Sequence, residues 1–196
     1  MTLVAIAPLT NIGAAIDRDL ATFRKLKRVV IMGGSVDHGY DDLGQVVNKA
    51  PDREYNIAMD VQAAQKLFTS GVPLYVMPLD STQLRLDEVK RTLIFTQSTP
   101  LTDALTLLYH QWSRTTHQQT PTMFDPMAVA YVVNPSICPT QALRLRVDDQ
   151  GYTRREPGEP NVNVCLKSDP THFFDFFIPR LIRSAETIPG SSRLAD

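Results

Sequence analysis

The sequence predicts an α/β fold, in which a mostly parallel sheet is flanked by helices. Three short segments, 3–6, 29–32 and 74–79, are continuously apolar, which is typical of parallel strands that are buried on both faces. Segments with helical periodicity, such as 60–68, lie between them, and the connections are short. An alternation of strands and helices joined by short loops favours a parallel sheet over other arrangements.

The first strand, Leu3–Ile6, is followed by a predicted helix for which Thr10 or Asn11 is a suitable N-terminal cap. The basic run 24–28 is interpreted as the solvated end of a helix, where cations suit the helix dipole. A buried strand follows it and ends in Gly33-Gly34, where the backbone can approach a ligand closely.

The middle of the chain alternates in the same way. Helix 60–68 has apolar residues at three- and four-residue spacing and stops at Gly71. Strand 74–79 comes next, and the helix-rich segment 86–109 is interrupted near Pro100.

The last third begins with a polar segment, 114–123, which is predicted to be a loop. Asp125 can cap the helix that follows, and Pro126 suits its first position. Two late strands are predicted at 143–147 and 161–166, joined through the turn Asp149-Gln150-Gly151. The chain closes with an amphipathic helix over 170–184, whose expected inward residues are Phe174, Phe177, Leu181 and Ile182.

Length, composition and charge limit the kind of protein this is. A chain of 196 residues suits one domain, expected over 1–188 with a mobile tail from 189 to 196. The net charge of −1 argues against a surface that binds nucleic acid. No segment approaches the roughly 20 apolar residues of a membrane span, and no signal peptide is visible. A reduced, cytoplasmic setting without a membrane partner is therefore expected.

The two cysteines, Cys138 and Cys165, are far apart in the sequence and have no nearby histidine or second cysteine. Both lie in apolar surroundings, so we expect small buried side chains rather than a metal site or a disulfide.

The segment N-K-A-P-D-R-E-Y-N places Asn48, Glu54 and Asn56 within nine residues. Two carboxamides and a carboxylate can together hydrogen-bond several hydroxyl groups of one polar ligand, such as a sugar. If the segment is extended, Glu54 and Asn56 point the same way, because they are two residues apart. A polar surface loop is the other interpretation of the same residues.

Four segments, in order and at their spacing, resemble the nucleoside hydrolases, the inosine–uridine-preferring N-ribohydrolase family. They are A-P-L-T-N at 7–11, I-M-G-G at 31–34, N-K-A-P-D-R-E-Y-N at 48–56, and F-D-P-M-A-V-A-Y at 124–131. Weaker similarities extend the match over essentially the whole chain and lie at 60–68, 70–73 and 79–82. The resemblance implies a nucleoside-hydrolase-like fold and hydrolysis of the N-glycosidic bond of ribonucleosides.

The family also carries a D-x-D-x-x-x-D-D motif on its first strand, which supplies most calcium ligands and the general base. This sequence contains no such motif, and residues 1–4 already resemble a strand from the middle of the family domain. The chain is therefore expected to be the C-terminal part of such a domain, without the first strands. Its own catalysis is expected to be impaired, which leaves its status as an enzyme open.

The resemblance also assigns roles to individual residues. Asp125 corresponds to a calcium ligand that also touches ribose, and Ile6 to a residue whose backbone carbonyl binds calcium. From the sequence alone, Asp125 is equally a helix cap, and a methionine at 32 is equally a core residue. The residues that the resemblance places at ribose are Met32, Asn48, Glu54, Asn56 and Asp125.

Position 124 departs from the family pattern. Many members have a histidine there to protonate the leaving base, whereas Phe124 can only stack on a base. Trp112 lies where the family has mobile aromatic residues above the base. His117 is a candidate for the missing general acid, and a loop histidine without a role is the alternative.

Calcium takes about 6–8 oxygen ligands in proteins. Asp125 and the Ile6 carbonyl are the family ligands that remain, so weak or no calcium binding is expected. A nearby acidic cluster, Asp37, Asp41 and Asp42, is interpreted as a solvated loop.

Two functional interpretations follow. One is a nucleoside hydrolase homologue that retains part of the ribose site. The other is a non-catalytic nucleoside- or ribose-binding module, or a structural remnant, that self-associates or needs a partner chain. Loss of central strands would expose a sheet edge, so a homo-oligomer is expected.

Overall fold

The computed structural model describes residues 1–40 and 49–183, which form two compact units. The first unit consists of Met1–Leu84 and Met123–Asp169, and the second of Arg85–Thr122 and the segment from Pro170 onward. Asn48 and the predicted tail from 189 lie outside the described residues. The expectation of a single domain over 1–188 stays a prediction.

Seven short strands are present in the described residues, all in the first unit. The strands are β1 (Thr2–Ala5), β2 (Arg28–Met32), β3 (Leu74–Met77), β4 (Gln141–Leu143), β5 (Leu145–Val147), β6 (Thr153–Arg155) and β7 (Val162–Val164). Five of them form a sheet in the order β1-β2-β3-β7-β4, in which only β4 is antiparallel to its neighbour. The predicted α/β class with a mostly parallel sheet is confirmed.

Nine α-helices accompany the strands in the described residues. The helices are α1 (Thr10–Arg18), α2 (Leu20–Phe23), α3 (Tyr55–Ala58), α4 (Val61–Thr69), α5 (Leu79–Thr82), α6 (Glu88–Phe95), α7 (Pro100–Thr116), α8 (Phe124–Val133) and α9 (Pro170–Ile182). A 3₁₀ turn, Pro135–Ile137, follows α8. None of these helices is long and apolar enough to span a lipid bilayer.

The sheet of the first unit is covered by helices on both faces. On one face Val29 and Ile31 join a buried cluster with residues of α1 and α4. These two helices approach so closely that a Cβ on Gly13 would lie 2.7 Å from the Cβ of Ala63. On the other face α8 contacts β2, where the alternate residue Val30 is fully buried.

Helix α8 runs in the direction opposite to β2. Arg28, the first residue of β2, donates from Nη2 to the carbonyl of Val132, near the end of α8, at 3.1 Å. A helix of ten residues and a strand of five both span about 15 Å. The first turn of α8, with Phe124 and Asp125, is therefore placed toward the carboxyl end of β2.

Two predicted helix caps are wrong. Thr10 is the first residue of α1 rather than its cap, and Leu9, which precedes it, makes no side-chain capping bond. The Thr10 side chain instead hydrogen-bonds Asp60 and lowers the pKa of that carboxyl, after a larger contribution from the Ala63 backbone N–H. Asp125 lies in the first turn of α8, whose cap is Met123.

The predicted connection between the late strands is also wrong. The turn at 149–151 joins β5 to β6 in a separate two-stranded sheet, and the chain returns to the main sheet only at β7. Asp148 stabilises this turn by accepting from the backbone N–H groups of Gln150 and Tyr152. Strand β6 was not predicted, because its sequence, T-R-R, is polar.

Helix α7 is longer than predicted, because it continues through Arg114 to Thr116. The predicted interruption near Pro100 is confirmed, since Pro100 occupies the first turn behind a capping box of Thr99 and Thr102. In α9 the fully buried residue is Phe173, which was not predicted. Phe174 is buried as expected, whereas Phe177, Leu181 and Ile182 are only partly buried.

Cys138 and Cys165 form a disulfide, so the expectation of two separate thiols is wrong. Cys165 directly follows β7, and Cys138 lies three positions before the first residue of β4. The antiparallel pairing of β4 with β7 brings the two positions together, with Cα atoms 5.8 Å apart. Their distance in the sequence concealed this pairing.

We predict that replacing both cysteines by serine lowers the free energy of unfolding by about 3–4 kcal/mol, because the disulfide closes a loop of 27 residues. Urea unfolding measures this change. Adding a reductant to the unchanged chain should lower its stability comparably and should leave the variant unaffected. Equal stability of the oxidised and reduced chain would contradict the prediction.

Candidate functional site

The candidate site lies at the carboxyl ends of β2 and β3, where parallel α/β sheets bind their ligands. The segments that leave β2 and β3 remain hydrogen-bonded to each other after the strands end. Gly33 N donates to the Met77 carbonyl at 3.2 Å, and Leu79 N donates to the Gly34 carbonyl at 2.9 Å. Gly34 has φ of +90°, and a Cβ there would lie 2.9 Å from Thr153 Oγ1. Glycine is required at this position both by its conformation and by the space available.

Glu54 is buried at the centre of the site, with 2% of its surface exposed. It caps α3, and its Oε1 accepts from Asn56 N at 2.9 Å. Its Oε2 accepts from Ile57 N at 3.1 Å and from Gly34 N at 3.0 Å. The carboxylate thus joins the start of α3 to the loop that leaves β2.

Asn56 is also buried, and it lies on α3 rather than on the extended segment that was predicted. Its Nδ2 donates to the Met32 carbonyl at 3.0 Å and lies 3.5 Å from Met32 Sδ. Glu54 and Asn56 therefore reach the same strand end, as expected, but through a helix N-terminus. Met32 is itself buried, so it packs in the core and also borders the polar cluster.

Asp125 approaches this cluster from the start of α8. Burial raises the pKa of Asp125. The pKa of Glu54 is also raised, first by burial and then by the charge of Asp125, against three backbone hydrogen bonds that lower it. Two carboxyl groups from distant parts of the sequence therefore influence each other at one edge of the sheet.

Two aromatic rings lie beside the carboxyl groups. The ring of Phe124 makes an edge-to-face contact with that of Tyr40, with centroids 6.2 Å apart and an angle of 81°. The Tyr40 hydroxyl accepts from Tyr55 N at 3.0 Å. Sequence reasoning missed Tyr40, and the nearest signal was its place in the loop after Gly33-Gly34.

Asp80, in α5 just after β3, was also missed. Its Oδ1 accepts from Asp37 N and His38 N at 2.7 and 3.1 Å. Its Oδ2 accepts from Val36 N at 2.9 Å. One carboxylate thus fixes three successive residues of the loop that leads to Tyr40.

Trp112 and His117 belong to the second unit. Trp112 lies on α7, with its ring centroid 6.2 Å from that of Tyr109. His117 is exposed and ends the helix in a left-handed conformation, with φ of 57°. Their assignment to the leaving base stays a prediction.

The described residues do not fit a complete calcium site. Within 1–40 and 49–183, no three or more His, Cys, Asp and Glu side chains are grouped so that they could hold a metal ion. Asp125 and the Ile6 carbonyl remain two possible ligands, against the 6–8 oxygens that calcium takes. Asp37 is partly exposed and pairs with Arg155, while Asp41 and Asp42 lie outside the described residues.

The model of the inosine-uridine preferring nucleoside hydrolase family matches residues 1–175. The chain belongs to this family. The resemblance inferred from four short segments is thereby confirmed, and the chain is a nucleoside hydrolase homologue.

Known nucleoside hydrolases resemble the chain in sequence and in structure. The pyrimidine-specific ribonucleoside hydrolase RihA of Enterobacter is 29% identical over 92% of this chain and 60% of its own length. The non-specific ribonucleoside hydrolase RihC of Klebsiella pneumoniae is 32% identical over 77% of this chain and 47% of its own length. The purine-preferring ribonucleoside hydrolase of Gardnerella vaginalis superposes with a TM-score of 0.77 at 25% identity, over 92% of this chain and 60% of its own.

The chain spans about three-fifths of the length of RihA and of the Gardnerella vaginalis enzyme. The names of these relatives describe pyrimidine-specific, non-specific and purine-preferring enzymes. The base preference therefore differs among proteins that are comparably similar to this nucleoside hydrolase homologue.

We predict that Glu54 makes folding stability fall as the pH rises. Because its pKa in the folded chain is raised above the ordinary value of 4.5, its contribution is fully present below that value. The contribution is lost as the pH rises through the higher pKa of the folded state. Urea unfolding at a series of pH values from 4 to 7 measures the effect.

The variant Glu54→Gln cannot ionise and should lose this part of the pH dependence. Glu159→Gln is the matched control, because Glu159 is exposed and the change in net charge is the same. A Glu54→Gln profile parallel to that of the unchanged chain would show that the burial of Glu54 does not control its ionisation.

Proposed function

We propose that this chain binds a ribonucleoside through its ribose and hydrolyses it slowly on its own. The observation that supports this proposal is the convergence of Glu54, Asn56 and Asp125 at the carboxyl ends of the strands, beside Met32. These residues come from the loop after β2, from α3 and from α8, and the effect of the Asp125 charge on Glu54 supports a common site.

The chemistry of the cluster suits a ligand rich in hydroxyl groups. A carboxylate has about four lone-pair positions, and Glu54 uses three of them for backbone N–H groups. One position is left to accept from a ligand. Asn56 directs its amide nitrogen to Met32, which leaves its Oδ1 to accept, and Asp125 is an acceptor when ionised. A sugar diol supplies the donors that such a site requires.

Catalysis makes demands that these residues meet only in part. An activated water needs a general base, and the departing base benefits from a proton donor. Phe124 cannot transfer a proton, and Glu54 is engaged by three N–H groups. The sequence contains no D-x-D-x-x-x-D-D motif. Loss of one acid or base typically costs about 10²–10⁴-fold in rate, so slow hydrolysis is proposed.

The proposal also covers calcium binding and cellular location. If calcium binds, Asp125 and the Ile6 carbonyl are the ligands that the described residues offer, and weak binding is proposed. The sequence predicts a cytoplasmic location. The Cys138–Cys165 disulfide argues against it, because cytosolic thiols are generally kept reduced.

We predict that Asp125→Asn weakens ribose binding about three- to tenfold, because a hydrogen bond to a charged acceptor is stronger than one to an amide. Isothermal titration with ribose measures the change. Asp37→Asn is the matched control, because Asp37 is partly exposed and pairs with Arg155, and its affinity should be unchanged. Equal losses in the two variants, or no loss in Asp125→Asn, would contradict the ribose site.

We further propose that the chain associates with a second copy through β1. This strand lies at an edge of the sheet, yet its sequence, T-L-V-A, is mostly apolar and all four residues are only partly buried. Ile6, which follows it, is 41% exposed. An apolar edge strand of a parallel sheet is a surface on which another strand can pair.

We predict a concentration-dependent oligomer at micromolar concentrations in sedimentation velocity. Val4→Lys should shift the chain toward the monomer, because a charge on an edge strand opposes pairing. Val133→Lys places the same charge on α8 at a residue that is 65% exposed and should have no effect. A compact, folded monomer of the unchanged chain would refute this proposal.

A further inference from the structure

Tyr40 ends the described part of the loop after β2, and its side chain returns to the polar cluster. Its ring is in edge-to-face contact with that of Phe124, and its hydroxyl lies at the N-terminus of α3, accepting from Tyr55 N. The negative charges of Glu54 and Asp52 both lie near enough to this phenol to raise its pKa. Tyr40 therefore lies between the aromatic residue at the start of α8 and the buried carboxylate.

The Tyr40 hydroxyl can supply what the neighbouring groups lack. A tyrosine hydroxyl has one hydrogen to donate and can accept as well, and the Tyr55 N–H occupies an acceptor position. Burial raises the pKa of Tyr40 above its ordinary value of 10.0; the hydrogen bond from Tyr55 N opposes this shift, and the charges of Glu54 and Asp52 add to it. The hydroxyl consequently keeps its proton at neutral pH and remains a donor.

The side chains that are proposed to bind ribose offer acceptors. Ionised Glu54 and Asp125 can only accept hydrogen bonds, and the free atom of the Asn56 carboxamide is an oxygen. The oxygens of a ribose need donors as well as acceptors, and its ring oxygen can only accept. A site made of acceptors alone would leave these oxygens unpaired, at a cost in affinity.

Hydrogen bonds from side chains hold the loop that carries Tyr40. Asp80 accepts from three successive N–H groups at 36–38. Asp52 accepts from Tyr40 N at 2.9 Å, and Gln83 donates to the Gly39 carbonyl at 3.0 Å. The position of the phenol is thereby fixed in the ligand-free chain, which lowers the entropic cost of using it for binding.

We propose that Tyr40 is a ligand-binding residue, whose hydroxyl donates a hydrogen bond to an oxygen of the bound ribose. This inference rests on the proposed ribose site and adds the donor that the site needs. It also gives Phe124 a defined neighbour, because the two rings are in edge-to-face contact.

The variant Tyr40→Phe tests the proposal, because it removes one oxygen and keeps the ring against Phe124. Isothermal titrations with ribose and with uridine should both show affinity lower by about three- to tenfold. Tyr75→Phe is the matched control, since Tyr75 lies on β3 beside Arg28, at the start of β2, and its affinities should equal those of the unchanged chain. The urea unfolding midpoint of ligand-free Tyr40→Phe should change little, because the Tyr55 N–H is exposed and water can replace the hydroxyl.

Three outcomes would overturn the inference. Unchanged affinity of Tyr40→Phe for both ligands, with binding intact in the unchanged chain, would refute the role of Tyr40 and leave the ribose site standing. A loss confined to uridine would place the hydroxyl at the base instead of the sugar. Failure of the unchanged chain to bind either ligand would overturn the ribose site, and this inference with it.

Discussion

The buried carboxylate of Glu54 joins two parts of the chain through hydrogen bonds from Gly34, Asn56 and Ile57. Gly34 lies two residues after β2, and Asn56 and Ile57 lie in the first turn of α3. Without an acceptor at this point, three backbone N–H groups near the end of a buried strand would lose their partners, at about 1–3 kcal/mol each. The position of Asn56 against Met32 depends on the same contact, because α3 starts at this cap.

This arrangement gives Glu54 two roles that compete for the same oxygens. The helix cap and the strand loop take three of its acceptor positions, and the fourth is the position proposed for a ligand. Burial opposes its charge, and Asp125 adds to that effect, whereas the backbone donors favour the charge. Glu54 therefore holds neighbouring backbone groups by hydrogen bonds and is a poor candidate for proton transfer. The site is therefore better suited to holding a sugar than to activating water.

The sequence allowed the fold class and most of the parallel strands to be predicted, because continuous apolar segments such as 29–32 have few alternatives. It also placed Glu54 and Asn56 at one strand end, although the local geometry is helical, since periodicity does not resolve a helix as short as α3. Pairing over long distances was missed. The Cys138–Cys165 disulfide and the support of the 36–38 loop by Asp80 depend on which strands become neighbours, and no local pattern reports that.

We propose that the side chains in the described part of the chain recognise ribose by themselves. Isothermal titration of the unchanged chain with ribose, in the presence of calcium and then of a chelator, tests this claim most directly. We expect saturable binding of one ribose per chain, with the same affinity under both conditions. Binding that appears only with calcium would show that the metal, and not the cluster of Glu54, Asn56 and Asp125, holds the sugar, and would contradict this proposal.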